Sequence, residues 1–88
     1  KDEVLVIYPN PTTESIQLQI KTEWANSLNL RAEVFSVDGK SMLQAKGNLL
    51  DIQENINIWL KNAKSGAYVI KLITPEKVLE TKLIKQNK

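Results

Sequence analysis

Apolar and polar residues alternate with a period of two along most of the chain. The clearest case is residues 15–20, where Ile16, Leu18 and Ile20 share one face and polar side chains the other. This pattern is typical of an antiparallel strand with one buried and one solvated face. Similar patterns predict further strands at 4–7, 30–37, 40–46, 54–58, 68–72 and 78–86.

Turn signals separate the predicted strands. Asp38-Gly39 suits a tight hairpin, because Asp tolerates and Gly favours the positive φ that such turns require. We interpret residues 47–53 as a loop or irregular edge and residues 59–65 as a short turn, at most one helical turn, ended by Gly66. No stretch of ten residues is taken to sustain helical periodicity. Ile56 and Ile58 are therefore expected to point inward together from a strand.

Two prolines interrupt the pattern after the first strand, in Tyr8-Pro9-Asn10-Pro11. Each proline fixes φ and removes a backbone donor, and a residue before proline is driven towards extended geometry. The segment therefore predicts a rigid kink. Its simplest interpretation is a crossover that carries the first strand from one sheet to the other.

About seven short strands with regular turn signals predict an all-β fold, an immunoglobulin-like antiparallel β-sandwich. With 88 residues, the chain is one domain or part of one. Cysteine is absent, so there is no disulfide and burial of apolar surface must carry most of the stability.

Composition argues against several classes of function. Without histidine or cysteine the chain lacks the usual general base and the commonest soft metal ligands, and its serines have no histidine to activate them. We therefore predict no enzyme activity, no catalytic residue, no metal site and no cofactor. The net charge of +2 is spread along the chain, which argues against nucleic-acid binding. No apolar stretch approaches the roughly 20 residues of a membrane span.

The aromatic residues leave a binding function open. Trp24 and Trp59, with Tyr8 and Tyr68, could form a platform for sugar rings. Packing explains most of them more simply, since Tyr68 alternates with apolar residues and Trp59 is expected to cap a sheet edge. Trp24 stands in a polar connection and is explained least. The chain could therefore be a non-catalytic immunoglobulin-like accessory module that binds carbohydrate or a cell-surface partner. A passive spacer or an interaction domain within an adhesin is a further alternative.

Four motifs in order resemble the C-terminal sorting domains of the bacterial type IX secretion system. They are YPNPTT at 8–13, VFSVDGK at 34–40, the block from 57 to 70 that contains SGAYVI, and TKLIKQ at 81–86. Together they cover nearly the whole chain. Two features depart from the family pattern: Ala63 stands where leucine is usual, and residues 47–54 are longer and more irregular than in the simplest members.

The resemblance implies that residues 1–88 are a single C-terminal sorting domain, cleaved or excised from a larger secreted precursor with an N-terminal passenger protein. Its partners would be the outer-membrane translocon and the sortase-like components of the type IX system. The protein would be exported, periplasmic in transit and then at the cell surface or secreted. A sortase-like protease commonly removes such domains, near Lys1-Asp2-Glu3 here, and attaches the cargo to surface lipopolysaccharide.

The same resemblance implies which residues the machinery would recognise. They are the kink, the turn glycines, a tyrosine and the last strand: Pro9, Asn10, Pro11, Gly39, Gly66, Tyr68, Lys82 and Lys85. We hypothesise that Lys82 and Lys85 orient the last strand against an acidic or polar receptor edge. That strand is expected to offer unpaired edge groups to a partner sheet, and it could also pair with a copy of itself.

Overall fold

Six strands and one helix form the part of the chain that the structure, a computed structural model, describes: residues 5–20, 29–75 and 77–87. In chain order they are β1 (Leu5–Tyr8), β2 (Gln17–Ile20), β3 (Leu30–Ser36), β4 (Ser41–Gly47), α1 (Leu49–Leu60), β5 (Gly66–Ile73) and β6 (Val78–Lys85). β1 and β2 form an antiparallel pair, and the other four form an antiparallel sheet in the order β4-β3-β5-β6. The expected mostly β, sandwich-like fold is confirmed.

The helix α1 replaces a predicted loop and strand. The prediction of a strand at 54–58 is wrong, and the described residues contain six strands rather than seven. Ile52, Ile56 and Leu60 recur every fourth residue and are all fully buried, whereas Ile58 is 67% exposed. The alternation of Ile56 and Ile58 with polar residues imitates a strand over five positions. The four-residue spacing of Ile52, Ile56 and Leu60 extends over nine positions, and this longer pattern agrees with the helix that the segment forms.

Local chemistry explains where the helix begins. The Asn48 side chain accepts a hydrogen bond from the Asp51 backbone N–H at 2.7 Å, which satisfies one of the free donors of the first turn. Gly47 precedes the cap with φ +129°, and a Cβ there would lie 3.0 Å from Asp51 Oδ2. A glycine is therefore suited to the junction between β4 and α1 in both backbone conformation and space.

Both sheets and the helix contribute to one core. The helix contacts β2, β3 and β4, so it joins the small sheet to the large one. Inward side chains of β2, β3 and β5 are buried as the alternation predicts, and Leu43 of β4 packs against them. The most completely enclosed side chains are Leu30, Val34, Ile52, Ile56, Leu60, Ile70, Leu72 and Leu83.

Candidate functional site

The chain crosses from one sheet to the other at Pro9-Asn10-Pro11, which confirms the crossover interpretation. β1 pairs with β2, and shortly afterwards Thr12 forms a parallel bridge with Lys85 at the end of β6. The Thr12 N–H donates to the Ile84 carbonyl at 2.9 Å, and the Gln86 N–H donates to the Thr12 carbonyl at 2.7 Å. The N-terminal segment therefore lies along the outer edge of the last strand.

Asn10 binds the same edge through its side chain. Its Nδ2 donates to the Lys82 carbonyl at 2.8 Å, and its Oδ1 accepts from the Ile84 N–H at 2.9 Å. One amide donor and one amide acceptor thus replace the two hydrogen bonds that a neighbouring strand would make. We call Asn10 and Thr12 the clasp.

The clasp changes the expectation for the last strand. Four outward backbone groups of residues 82–86 are occupied, namely the Lys82 carbonyl, the N–H and carbonyl of Ile84, and the Gln86 N–H. The expectation that this strand offers unpaired edge groups is therefore wrong for these four groups. Pairing with a second copy along this stretch would require the clasp to open.

The sequence-predicted recognition residues lie at one end of the four-stranded sheet. Ser36 at the end of β3 is opposite Tyr68 near the start of β5, and Gly66 is opposite Lys85 at the end of β6. The hairpin that contains Gly39 follows directly after Ser36, and the clasp adjoins β6. The structure thus brings together motifs that are as much as 74 positions apart in the sequence.

The two lysines of the last strand have different environments. Lys82 is exposed, so its side chain is available at the surface. Lys85 is only 7% exposed, and its Nζ donates to the Ala63 carbonyl at 2.9 Å, in the turn that follows α1. A lysine placed in this way ties the last strand to the end of the helix, where cations are favoured.

Tyr68 is also buried and has a clear packing role. It is 6% exposed, its ring meets that of Trp59 edge to face at a centroid distance of 4.9 Å, and its hydroxyl donates to the Lys64 carbonyl at 2.7 Å. Trp59 belongs to α1 and not to a sheet edge, which corrects the expected element but not the packing interpretation. Trp24 lies outside the described residues.

The hairpin after β3 is held by local hydrogen bonds. Gly39 has φ +89° and donates its N–H to the Ser36 carbonyl at 3.0 Å, which confirms the predicted turn. The Ser36 hydroxyl donates to Asp38 and holds the pKa of that exposed carboxyl below its usual value. Any stability from this interaction is present above the ordinary pKa of aspartate and is lost as the pH falls through the lowered one.

We expect Gly39→Ala to lower the free energy of unfolding by about 1 kcal/mol. The penalty is conformational, because φ +89° is unfavourable for an L side chain while a Cβ would meet no heavy atom within 4 Å. Chemical denaturation measures it, with Lys40→Ala as a neighbouring exposed control. A loss no larger than that of the control would contradict the conformational explanation.

Sequence reasoning missed two residues whose side chains cover one edge of the two-stranded sheet. Asn57 of α1 accepts from the Ile16 N–H at 2.8 Å and donates to the Ile16 carbonyl at 3.0 Å. Gln53, one turn earlier, accepts from the Leu18 N–H at 2.8 Å. These amides cover backbone groups of β2 and of the residue directly before it, as Asn10 covers those of β6. The four-residue spacing of Gln53 and Asn57 would have indicated them, had the segment been recognised as a helix.

Residues 5–20, 29–75 and 77–87 contain no group of three or more His, Cys, Asp or Glu side chains that could hold a metal ion. Within the same ranges, no helix has the length and apolar character required to cross a membrane.

Comparison with known protein families matches residues 6–86 to the secretion system C-terminal sorting domain. The chain belongs to this family. The sorting domain is the C-terminal sorting signal of type IX secretion cargo, which confirms the function predicted from the four motifs. A search of curated proteins finds no match.

Membership of the family decides between the functions left open by the sequence. The type IX machinery recognises such a sorting domain, and the protein that carries it is exported and secreted. The family is non-catalytic. The alternative of a carbohydrate-binding accessory module is not supported.

Proposed function

We propose that the sorting domain acts as a folded export signal, read at the end of the sheet where the kink, the hairpin and the end of the last strand lie. The observation that carries this proposal is the clasp, which joins residues 10–12 to residues 82–86. Because these segments are so far apart in sequence, their shared surface exists only in the folded domain. A receptor that reads this surface would select folded domains.

The residues of the proposed signal divide into two groups. Exposed residues that can touch a receptor include the kink and one lysine of the last strand: Pro9, Asn10, Pro11, Gly39, Gly66 and Lys82. Tyr68 and Lys85 are buried and shape this surface from beneath. Their contribution to recognition is therefore indirect.

Family membership supports a route for the cargo. We take residues 1–88 as the single sorting domain of a larger precursor, with the passenger protein on its N-terminal side. The outer-membrane translocon of the type IX system is the proposed receptor in the periplasm. Sortase-like components then remove the domain and commonly attach the cargo to surface lipopolysaccharide, so that the cargo ends at the cell surface or is secreted.

The export signal is tested by fusion of residues 1–88 to a fluorescent cargo that carries a signal peptide, in a host that has the machinery. We expect fluorescence at the cell surface or in the medium, and periplasmic fluorescence for the same cargo without the domain. Periplasmic retention of the fusion, with its fold confirmed by circular dichroism, would reject the proposed function.

We expect Lys82→Glu to reduce export of this fusion roughly tenfold, because charge reversal at an interface opposes association. The fold should be unaffected, since the side chain is exposed and the clasp binds only the Lys82 backbone. Lys46→Glu is the matched control: Lys46 is exposed and lies opposite Arg31, at the other end of the sheet. Equal export of the two variants would remove Lys82 from the proposed surface.

A further inference from the structure

We propose that the machinery reads β6 with its outer edge closed, and that Asn10 is the positioning residue that keeps the edge closed. This inference rests on the proposed function and specifies how its surface is recognised. The partner is a component of the secretion machinery that recognises the surface formed by residues 8–12 and 82–86, through its side chains and its shape. It does not add a β-strand to residues 82–86.

Occupancy of the backbone supports a closed edge. Strand addition requires free N–H and carbonyl groups along the edge that receives the new strand. The clasp occupies four such groups with hydrogen bonds of 2.7 to 2.9 Å. A strand that entered here would first have to break all four.

The clasp is also anchored from below. Thr12 is 3% exposed, and its Oγ1 donates to the Ser15 carbonyl at 2.5 Å and accepts from the Ser15 N–H at 3.2 Å. Its bridge partner Lys85 is itself buried, and the Lys85 Nζ donates a hydrogen bond to the Ala63 carbonyl. The clasp is therefore packed into the core through Thr12 and does not merely lie over the strand.

Because these four backbone groups are already hydrogen-bonded within the domain, the surface offers a partner its side chains. Tyr8, Pro9 and Pro11 are exposed on the segment that leads into the clasp, and Lys82 is exposed on β6. Rigid rings beside one cation suit a partner surface that combines an apolar patch with a carboxylate. Asn10 holds residues 8–12 against residues 82–86 and so acts as a positioning residue.

The chain offers a matched control for Asn10. Asn57 likewise makes one donated and one accepted hydrogen bond to backbone, both to Ile16, which directly precedes β2 in the other sheet. Asn10→Ala and Asn57→Ala thus remove the same chemistry from two different edges. Each variant is compared with the unmodified domain for free energy of unfolding, for hydrogen exchange of the Ile84 amide, and for export of the fused cargo.

We expect both alanine variants to lose stability, but only Asn10→Ala to lose export, roughly tenfold relative to Asn57→Ala at temperatures that give equal folded fractions. Only Asn10→Ala should speed exchange of the Ile84 amide, because that N–H donates to Asn10 Oδ1. Asn10→Asp keeps this acceptor and loses the bond to the Lys82 carbonyl, so its export should be intermediate. If an alanine variant does not fold, Asn10→Asp is compared with Asn57→Asp.

Three results would overturn the inference. Equal export of the Asn10 and Asn57 variants at equal folded fraction would show that Asn10 acts through stability alone. Greater export from Asn10→Ala than from the unmodified domain would show that the machinery adds a strand to an opened edge. Normal export of Asn10→Ala would show that closure is unnecessary. Failure of the unmodified domain to export its cargo would instead reject the proposed function itself.

Discussion

Ile56→Ala is expected to lower the free energy of unfolding by about 2–5 kcal/mol, whereas Ile58→Ala should change it by less than about 0.5 kcal/mol. Ile56 is fully buried in the core, and its truncation removes apolar contacts and leaves a cavity. Ile58, two residues later on α1, is mostly exposed. A domain of this size has only about 5–15 kcal/mol of total stability, so the first variant should be severely weakened.

Urea denaturation of the two variants also tests the secondary structure of the segment. A strand at residues 54–58 would bury both isoleucines on one face, and both substitutions would then cost similar amounts. Of these two isoleucines, the helix buries only Ile56. Two losses of similar size would contradict the helix, and a large difference would support it.

Lys85→Glu is expected to destabilise the domain by roughly 3 kcal/mol or more. The substitution places a carboxylate in a buried position where the ammonium now donates to the Ala63 carbonyl. Two acceptors would then face each other, and the carboxylate would also lose its hydration. Thermal unfolding, monitored by circular dichroism, measures the loss.

Two variants separate the contributions to this effect. Lys85→Met keeps most of the apolar stem and removes the donor, so it should cost less than Lys85→Glu. Lys82→Glu makes the same change of charge at an exposed position three residues earlier and should leave the fold intact. If Lys85→Glu were as stable as Lys82→Glu, the buried placement of Lys85 would be incorrect.

The difference between these lysines also limits how recognition can be tested. Exchange of both lysines for glutamate is expected to destabilise the domain through Lys85, so a loss of export would not separate lost folding from lost contact with a receptor. A substitution of Lys82 alone isolates surface charge. The hypothesis that Lys82 and Lys85 together orient the strand stays a prediction, and only its exposed member can be tested directly.

Side-chain amides close a strand edge in each sheet. Asn10 covers the end of β6, Gln53 covers β2, and Asn57 covers Ile16 directly before β2. Open strand edges invite pairing with other chains. Closure by single side chains protects the edge without an additional strand.

The sequence by itself determined the parts of this protein that depend on neighbouring residues. Period-two alternation identified most strands, Asp38-Gly39 identified the hairpin, and the two prolines identified the crossover. The order of the motifs identified the sorting-domain family. These features are local because strand faces, tight turns and proline geometry are properties of a few consecutive residues.

Only the tertiary structure decided the helix and the clasp. Residues 54–58 fit a strand or a helix, and burial of Ile52, Ile56 and Leu60 against both sheets selects the helix. The clasp and the buried Lys85 depend on partners 72, 74 and 22 positions away. Local patterns carry no signal for such contacts, because a side chain finds its distant partner only when packing of the whole core brings the two segments together.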